Sequence, residues 1–227
     1  MDKSFILSVG GSLMVTADGI ETKFLKEFRA FIIRQVKKGH KFYLVAGGGV
    51  TARTYIKATL AIAPISTVDR DWVGISATRL NAQLLRASFG ALAHPEIIID
   101  PTKKISTKRP LVIASGYKPG WSTDYVAILL AQHNKIKTVI NLSNIDYAYD
   151  KDPRQFKDAK KLETVSWPAF RKIVGNRWLP GLNAPFDPIA SREATKSGMK
   201  VIILNGRNLK NLEKCLDSEK FKGTVIE

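Results

Sequence analysis

Three short segments are rich in glycine: Ser8-Val-Gly-Gly-Ser12, Gly47-Gly-Gly49 and Gly116-Tyr-Lys-Pro-Gly-Trp-Ser-Thr123. Glycine lets a backbone come close to a ligand, and N–H groups at a following helix N-terminus attract phosphate through hydrogen bonds and the helix dipole. Taken singly, each segment is equally a tight turn. Arg53 lies four residues beyond Gly49, so one helical turn would bring its guanidinium to whatever the glycines hold; the plainer reading is an exposed surface arginine. Asp71 opens a helical pattern and could accept hydrogen bonds from sugar hydroxyls, or serve only as a helix-N-terminal acid. Arg79 and Asn81, inside the same pattern, would need partners if buried. Tyr117, Trp121 and Tyr147 could stack on a base, although packing beneath a loop is the simpler expectation. His40, His94 and His133 lie far apart and suggest no catalytic triad. Neither G-x-x-x-x-G-K-[ST] nor a G-x-G-x-x-G after a strand occurs, which removes the P-loop and Rossmann readings.

The elements that must position these residues follow from periodicity. Phe5–Val9 is a short apolar run stopped by Gly10-Gly11, which reads as a buried strand with a helix to follow. From Glu21 to Lys38, Phe24, Leu25, Phe28, Phe31, Ile32 and Val36 recur at helical spacing up to Gly39. Lys41–Ala46 is the second strand, and Val50–Leu60 continues as a helix. Asp69–Ser88 is a further long helix offering Trp72, Ile75, Leu80, Leu84 and Leu85 to the interior. Pro101–Pro110, basic and bracketed by prolines, is the best candidate for a surface connection between two lobes. Beyond it the alternation resumes with a strand at Leu111–Ser115, a helix at Thr123–His133, a strand at Thr138–Leu142, a strand at Lys200–Leu204 and a helix at Asn208–Leu216. Short apolar strands separated by amphipathic helices predict an α/β fold, a three-layer αβα sandwich around a largely parallel central sheet.

Composition narrows the function classes. The 227 residues are 44% hydrophobic and 25% charged, which excludes disorder and fibrous structure. A single cysteine, Cys215, excludes an intrachain disulfide and is expected to be a small core residue; no Cys/His spacing fits a zinc site. The formal charge of +16 points to anionic partners, but its basic residues are scattered, as on a solvated face, rather than blocked into a nucleic-acid-binding tail. No apolar run approaches the ~18 residues of a membrane span, and the first 15 residues lack the features of a signal peptide. The cytoplasm is the expected compartment.

The ordered set Gly10-Gly-Ser12, Val45-Ala-Gly-Gly-Gly-Val-Thr-Ala-Arg-Thr-Tyr-Ile56, Asp71-Trp-Val-Gly-Ile-Ser-Ala-Thr-Arg-Leu-Asn-Ala82, Pro119-Gly-Trp-Ser-Thr-Asp124, Asn144-Ile-Asp146, Tyr149-Asp-Lys-Asp-Pro153 and Asp187-Pro-Ile-Ala190 resembles the archaeal-type uridylate (UMP) kinases of the amino acid kinase superfamily over nearly the whole chain. The resemblance implies the amino acid kinase-like fold as one domain, 1–227, with a UMP-binding lobe near 1–110 and an ATP-binding lobe near 111–227. It implies transfer of the γ-phosphoryl group of ATP to UMP, with Mg²⁺ carried on the nucleotide. ATP would be held by Ser8, Val9, Gly10, Gly11, Ser12, Gly49, Arg53, Ser143, Tyr149 and Asp152. UMP would be held by Gly48, Asp71, Tyr117, Lys118, Pro119, Gly120, Trp121, Ser122 and Thr123. Arg53 and Asp187 would act at the transfer site. A homohexamer built from dimers is implied as well; apart from the resemblance, no membrane partner is expected, and a nucleic-acid binder is supported only by the +16 charge.

Two positions depart from the family pattern. Many superfamily members carry Lys where this chain has Ser8, although archaeal-type UMP kinases can also lack it; Lys118 and Lys3 are candidate replacements on proximity alone. The usual Asp-Gly-Val-Tyr is here Asp146-Tyr-Ala-Tyr149, which bears on the donor nucleotide. Other readings are a kinase of another small phosphate or carboxylate acceptor, or a non-catalytic nucleotide- or oxyanion-binding protein on the same fold.

Overall fold

The computed structural model describes residues 3–175 and 184–227. Strand β1 (Ser4–Val9) leads through Gly10 into a four-residue helix α1 (Gly11–Met14), then a small hairpin of β2 (Val15–Thr16) and β3 (Gly19–Ile20). Helix α2 (Thr22–Lys37) buries Phe24, Leu25, Phe28, Phe31 and Ile32 on one stripe, as the sequence periodicity requires. Strand β4 (Lys41–Ala46) is followed by α3 (Gly49–Ile62) and the 23-residue α4 (Thr67–Phe89). After β5 (Leu111–Ala114) come α5 (Thr123–His133) and β6 (Thr138–Ser143), then the short strands β7 (Ala148–Tyr149), β8 (Lys161–Leu162) and β9 (Thr164–Val165). Helices α6 (Trp167–Val174) and α7 (Pro188–Lys196) precede β10 (Lys200–Asn205), α8 (Leu209–Leu216) and β11 (Thr224–Ile226).

Among the described residues the main sheet has seven strands in the order β5-β4-β1-β6-β10-β11-β9. It is parallel except where β11 pairs antiparallel with β10, so the expected α/β sandwich is observed. The chain runs outward from β1 to β4 and β5, then returns to place β6 on the other edge of β1. Connections that diverge from neighbouring parallel strands leave a crevice at their carboxyl ends, where such sheets bind ligands. β5, which opens the segment 111–227, pairs with β4 of the first segment.

Strand alternation builds two cores. Leu7, Val9, Phe42, Leu44, Ile202 and Leu204 face the layer containing α2 and α8, while Ile6, Val45, Val201 and Ile203 face the layer of α5, α6 and α7. Ser8, in phase with Ile6, therefore points toward α5. Gln35, fully buried on α2, donates from Nε2 to Glu213 Oε1 of α8 at 2.8 Å, and Lys38 Nζ joins the same oxygen at 2.8 Å. Cys215 is buried as expected, and burial pushes its thiol up to about 12.

The expectation for α4 needs one correction. Ile75 and Leu85 are buried, whereas Trp72 is 43% and Leu80 63% exposed. These two residues lie eight apart, on the helix side turned away from the sheet, so the apolar pattern of α4 is wider than the stripe its core covers.

Candidate active site

A cleft of about 310 Å³ opens beyond the carboxyl ends of β1, β4, β5 and β6. The first two glycine segments meet there backbone to backbone. A Cβ on Gly11 would lie 2.1 Å from Gly49 N, and one on Gly49, at φ +60°, would lie 2.4 Å from Gly11 C. No side chain fits at either position, so the start of α1 and the start of α3 can converge on one volume. Helix α4 fixes the surrounding loops. Asn81 Nδ2, 3% exposed, donates to the carbonyls of Gly47 at 2.8 Å and Gly48 at 3.2 Å. Thr78 Oγ1 donates to Ile75 O and accepts the Gly116 N–H at 2.8 Å. One helical face thus holds the second and third glycine segments in register, and the partner required for a buried Asn81 is the glycine loop itself.

The donors left over favour anions. Helix α3 has no side-chain cap, so its first N–H groups are free to bind a ligand beside the cleft. The N-termini of α5 and α7 are closed instead, by Ser122 Oγ accepting from Tyr125 N and by the Asp187 carboxylate accepting from Ile189 N and Ala190 N. Ser122 Oγ also donates to Asp187 Oδ2 at 2.5 Å. Among the described residues, Arg53 and Arg70 are the basic ones lining the cleft.

Against them stands a buried carboxylate pair. Asp124 Oδ1 accepts from Ser8 Oγ at 3.0 Å and its Oδ2 from Asp187 N at 3.3 Å. Burial, reinforced by the neighbouring Asp187 charge, raises Asp124 to about 7. Burial raises Asp187 too, but Ser122 and two amides hold its charged form and oppose the shift. Ser8 spends its hydroxyl on Asp124.

The expected ligand contacts divide in two. Ser8, Gly10, Gly11, Ser12, Gly48 and Gly49 all border the cleft, together with Arg53, Asp71, Trp121, Ser122, Thr123, Ser143 and Asp187. Val9 is fully buried in the core. Tyr149 ends β7, and Asp152 accepts from the Arg154 guanidinium at 2.9 and 3.1 Å; neither borders the cleft. Tyr117, Lys118, Pro119 and Gly120 form the outer part of the third glycine loop, which Asp71 ties down by accepting the Gly120 N–H at 2.6 Å. Asp71 is thus more than a terminal helix acid. Trp121 packs edge-on to Tyr117 at 5.3 Å and Tyr125 at 4.6 Å, with Lys118 Nζ 4.1 Å from its ring centre. That is the packing expectation for these aromatics.

Lys3 precedes β1 at the opposite end of the sheet, with its carbonyl bonded to Lys41 N, and so cannot reach the cleft. Residue-level reading missed Asp124, Thr78 and Arg70 as site residues. Asp124 stood within a quoted motif, immediately after Ser122-Thr123, and its place in the first turn of a glycine-led helix was the available signal.

Comparison with known proteins agrees over the full length. The sequence profile of the amino acid kinase family matches residues 3–205. A uridylate kinase of Thermoplasma volcanium is 33% identical, covering 100% of this chain and 99% of its own, and one of Methanospirillum hungatei is 30% identical, covering 98% and 94%. The crystal structure of uridylate kinase from Archaeoglobus fulgidus superposes with a TM-score of 0.83 at 32% identity, covering 99% of this chain and 100% of that one.

Proposed function

The chain belongs to the amino acid kinase family, and from that premise we propose that it is a uridylate kinase, moving the γ-phosphoryl group of ATP onto UMP to give UDP and ADP. The observation that carries this reading is the convergence of all three glycine segments on a single cleft, in a chain similar end to end to uridylate kinases. Phosphoryl transfer needs in-line placement and neutralised charge rather than a covalent nucleophile, and the cleft supplies backbone amides and guanidinium groups.

In this reading Gly10, Gly11 and Ser12 with the open start of α3 take the ATP phosphates, and Arg53 stabilises charge on the transferring group. Ser143, with Tyr149 and Asp152 on the hairpin beyond it, serves the donor nucleoside. Gly48, Asp71 and the loop from Tyr117 to Thr123 enclose UMP. Asp187 acts indirectly, since its oxygens are occupied by Ser122 and by α7; it positions Ser122 and the buried Asp124. In the same reading Mg²⁺ arrives on the ATP phosphates as part of the substrate.

Partner and compartment follow the same reading. Helix α3 has no buried residue and exposes Tyr55, Leu60 and Ile62, beside the exposed Val68 and Trp72 of α4; a second copy of the chain, within a homo-oligomer, is the proposed cover for this face. No helix among the described residues is long and apolar enough to cross a membrane, and the proposed compartment is the cytoplasm.

One observation favours a second reading. With Ser8 in the usual lysine position and its hydroxyl engaged by Asp124, the chain would bind nucleotides without turning them over. Incubation with UMP, ATP and Mg²⁺ separates the two, with CMP, AMP and carbamate as alternative acceptors. UDP formation supports the kinase, whereas tight nucleotide binding without any product establishes the binding protein.

A further inference from the structure

The cleft contains a cation that neither the glycine segments nor the motif set singles out. Arg70 sits in the first turn of α4 and lines the cleft on the same stripe as Asp71, Gly74, Ile75 and Thr78. Its Nη2 donates to Thr67 Oγ1 at 3.1 Å, its Nε is buried without a hydrogen-bond partner, and it forms no ion pair with a described residue. A half-buried guanidinium that uses one of its five N–H groups on a neutral hydroxyl is under-satisfied, and it gains most from a doubly charged oxyanion able to take a bidentate contact. The other candidates for the cation that Ser8 does not supply are placed elsewhere. Lys3 lies at the far end of the sheet, and Lys118 lies over the Trp121 ring.

We propose that Arg70 binds the phosphate of the acceptor nucleotide, opposite the donor phosphates held at Gly10–Ser12 and the start of α3; this rests on the kinase reading above. The adjacent Asp71 organises the acceptor loop through Gly120 N, so one helical turn of α4 addresses both the loop and the phosphate of the same ligand. Arg53, on α3, then remains free for the transferring group.

The test compares wild type with Arg70→Gln and Arg70→Lys, after confirming equal thermal midpoints and equal ATP affinity. In Arg70→Gln the KM for UMP should rise about 10- to 100-fold with a smaller change in kcat, and Arg70→Lys should recover part of it. Titrations with UMP and with uridine give the readout a merely structural role would not move: UMP affinity falls while uridine affinity stays constant. An unchanged KM for UMP, or equal losses for UMP and uridine, overturns the proposal while wild-type UDP formation leaves the kinase reading standing. Absence of both UMP binding and UDP formation in the wild type removes the kinase reading itself.

Discussion

At the scale of single residues, charge in this cleft is arranged by burial as much as by sequence. Arg53 and Asp71 face the same volume from different helices, and their proposed roles separate kinetically. Arg53→Ala should lower kcat by about 100-fold, the range seen when a transition-state hydrogen-bond donor is removed. Asp71→Asn should chiefly raise the KM for UMP, because it weakens the hold on Gly120; steady-state kinetics with each substrate varied would expose wild-type behaviour in either variant. Asp124 makes a different prediction, since its folded value of about 7 lies above the ordinary 3.8. Between those values the folded protein keeps a proton that the unfolded chain releases, so stability from this group is complete below about pH 4 and is lost as pH rises through 7. In Asp124→Asn the amide can donate to Ser8 and accept from Asp187 N, so the packing survives without the titration. Urea midpoints at pH 4, 6 and 8 should fall less for the variant than for the wild type, and parallel curves would contradict a protonated Asp124.

At the scale of elements, α4 does more than bury surface. Its Thr78 and Asn81 bind backbone atoms of two different glycine loops, which makes the helix a spacer that sets the width of the cleft. Asn81→Leu would keep the volume yet leave the Gly47 and Gly48 carbonyls without their donor, at a cost of about 1–3 kcal/mol. Activity should fall more than stability does, because both loops contact substrate in the proposed mechanism; thermal melts paired with initial rates measure the two losses. Helix α2 stabilises without touching the site. Phe28, fully buried and stacked on Phe24 at 5.6 Å, should cost about 3–5 kcal/mol as Phe28→Ala, with KM values unchanged in the folded fraction. The elements differ in how openly the sequence announces them. Helix α2 and strands β1, β4, β6 and β10 are visible because each carries a full period of apolar residues. Strands β7, β8 and β9 have two residues each, too few for any period to register, and β11 is held by pairing with β10 rather than by a pattern of its own. Helix α1, expected after Gly10-Gly11, stops after four residues because Val15 begins a hairpin with Ile20.

At the scale of the whole molecule, the +16 charge and the exposed apolar face of α3 point in different directions. Charge spread over the surface raises the local concentration of nucleotide anions and keeps the chain from indiscriminate association, while exposed large apolar side chains on one element call for one specific partner. Ile62, 83% exposed at the end of α3, is the place to test self-association. Ile62→Asp should shift the sedimentation coefficient toward the monomer without altering the fold by circular dichroism; an unchanged oligomer would put the contact on another face.

The sequence by itself determined the alternation of strands and helices and the order of the glycine loops, because both are written within windows of 5–20 residues. The ordered motifs brought Ser8, Arg53, Asp71 and Asp187 into consideration for the same reason. Only the tertiary structure decided which charged groups share the cleft, since that depends on strand order. The excursion from β1 to β5 and back to β6 brings Ser8 within 3.0 Å of Asp124, turns Arg70 inward and leaves Lys3 at the far end of a strand whose other end is in the site. Proximity along a chain and proximity in space part company across a single β-strand, where each step back toward its amino end lies about 3.3 Å farther from the carboxyl end that binds the ligand.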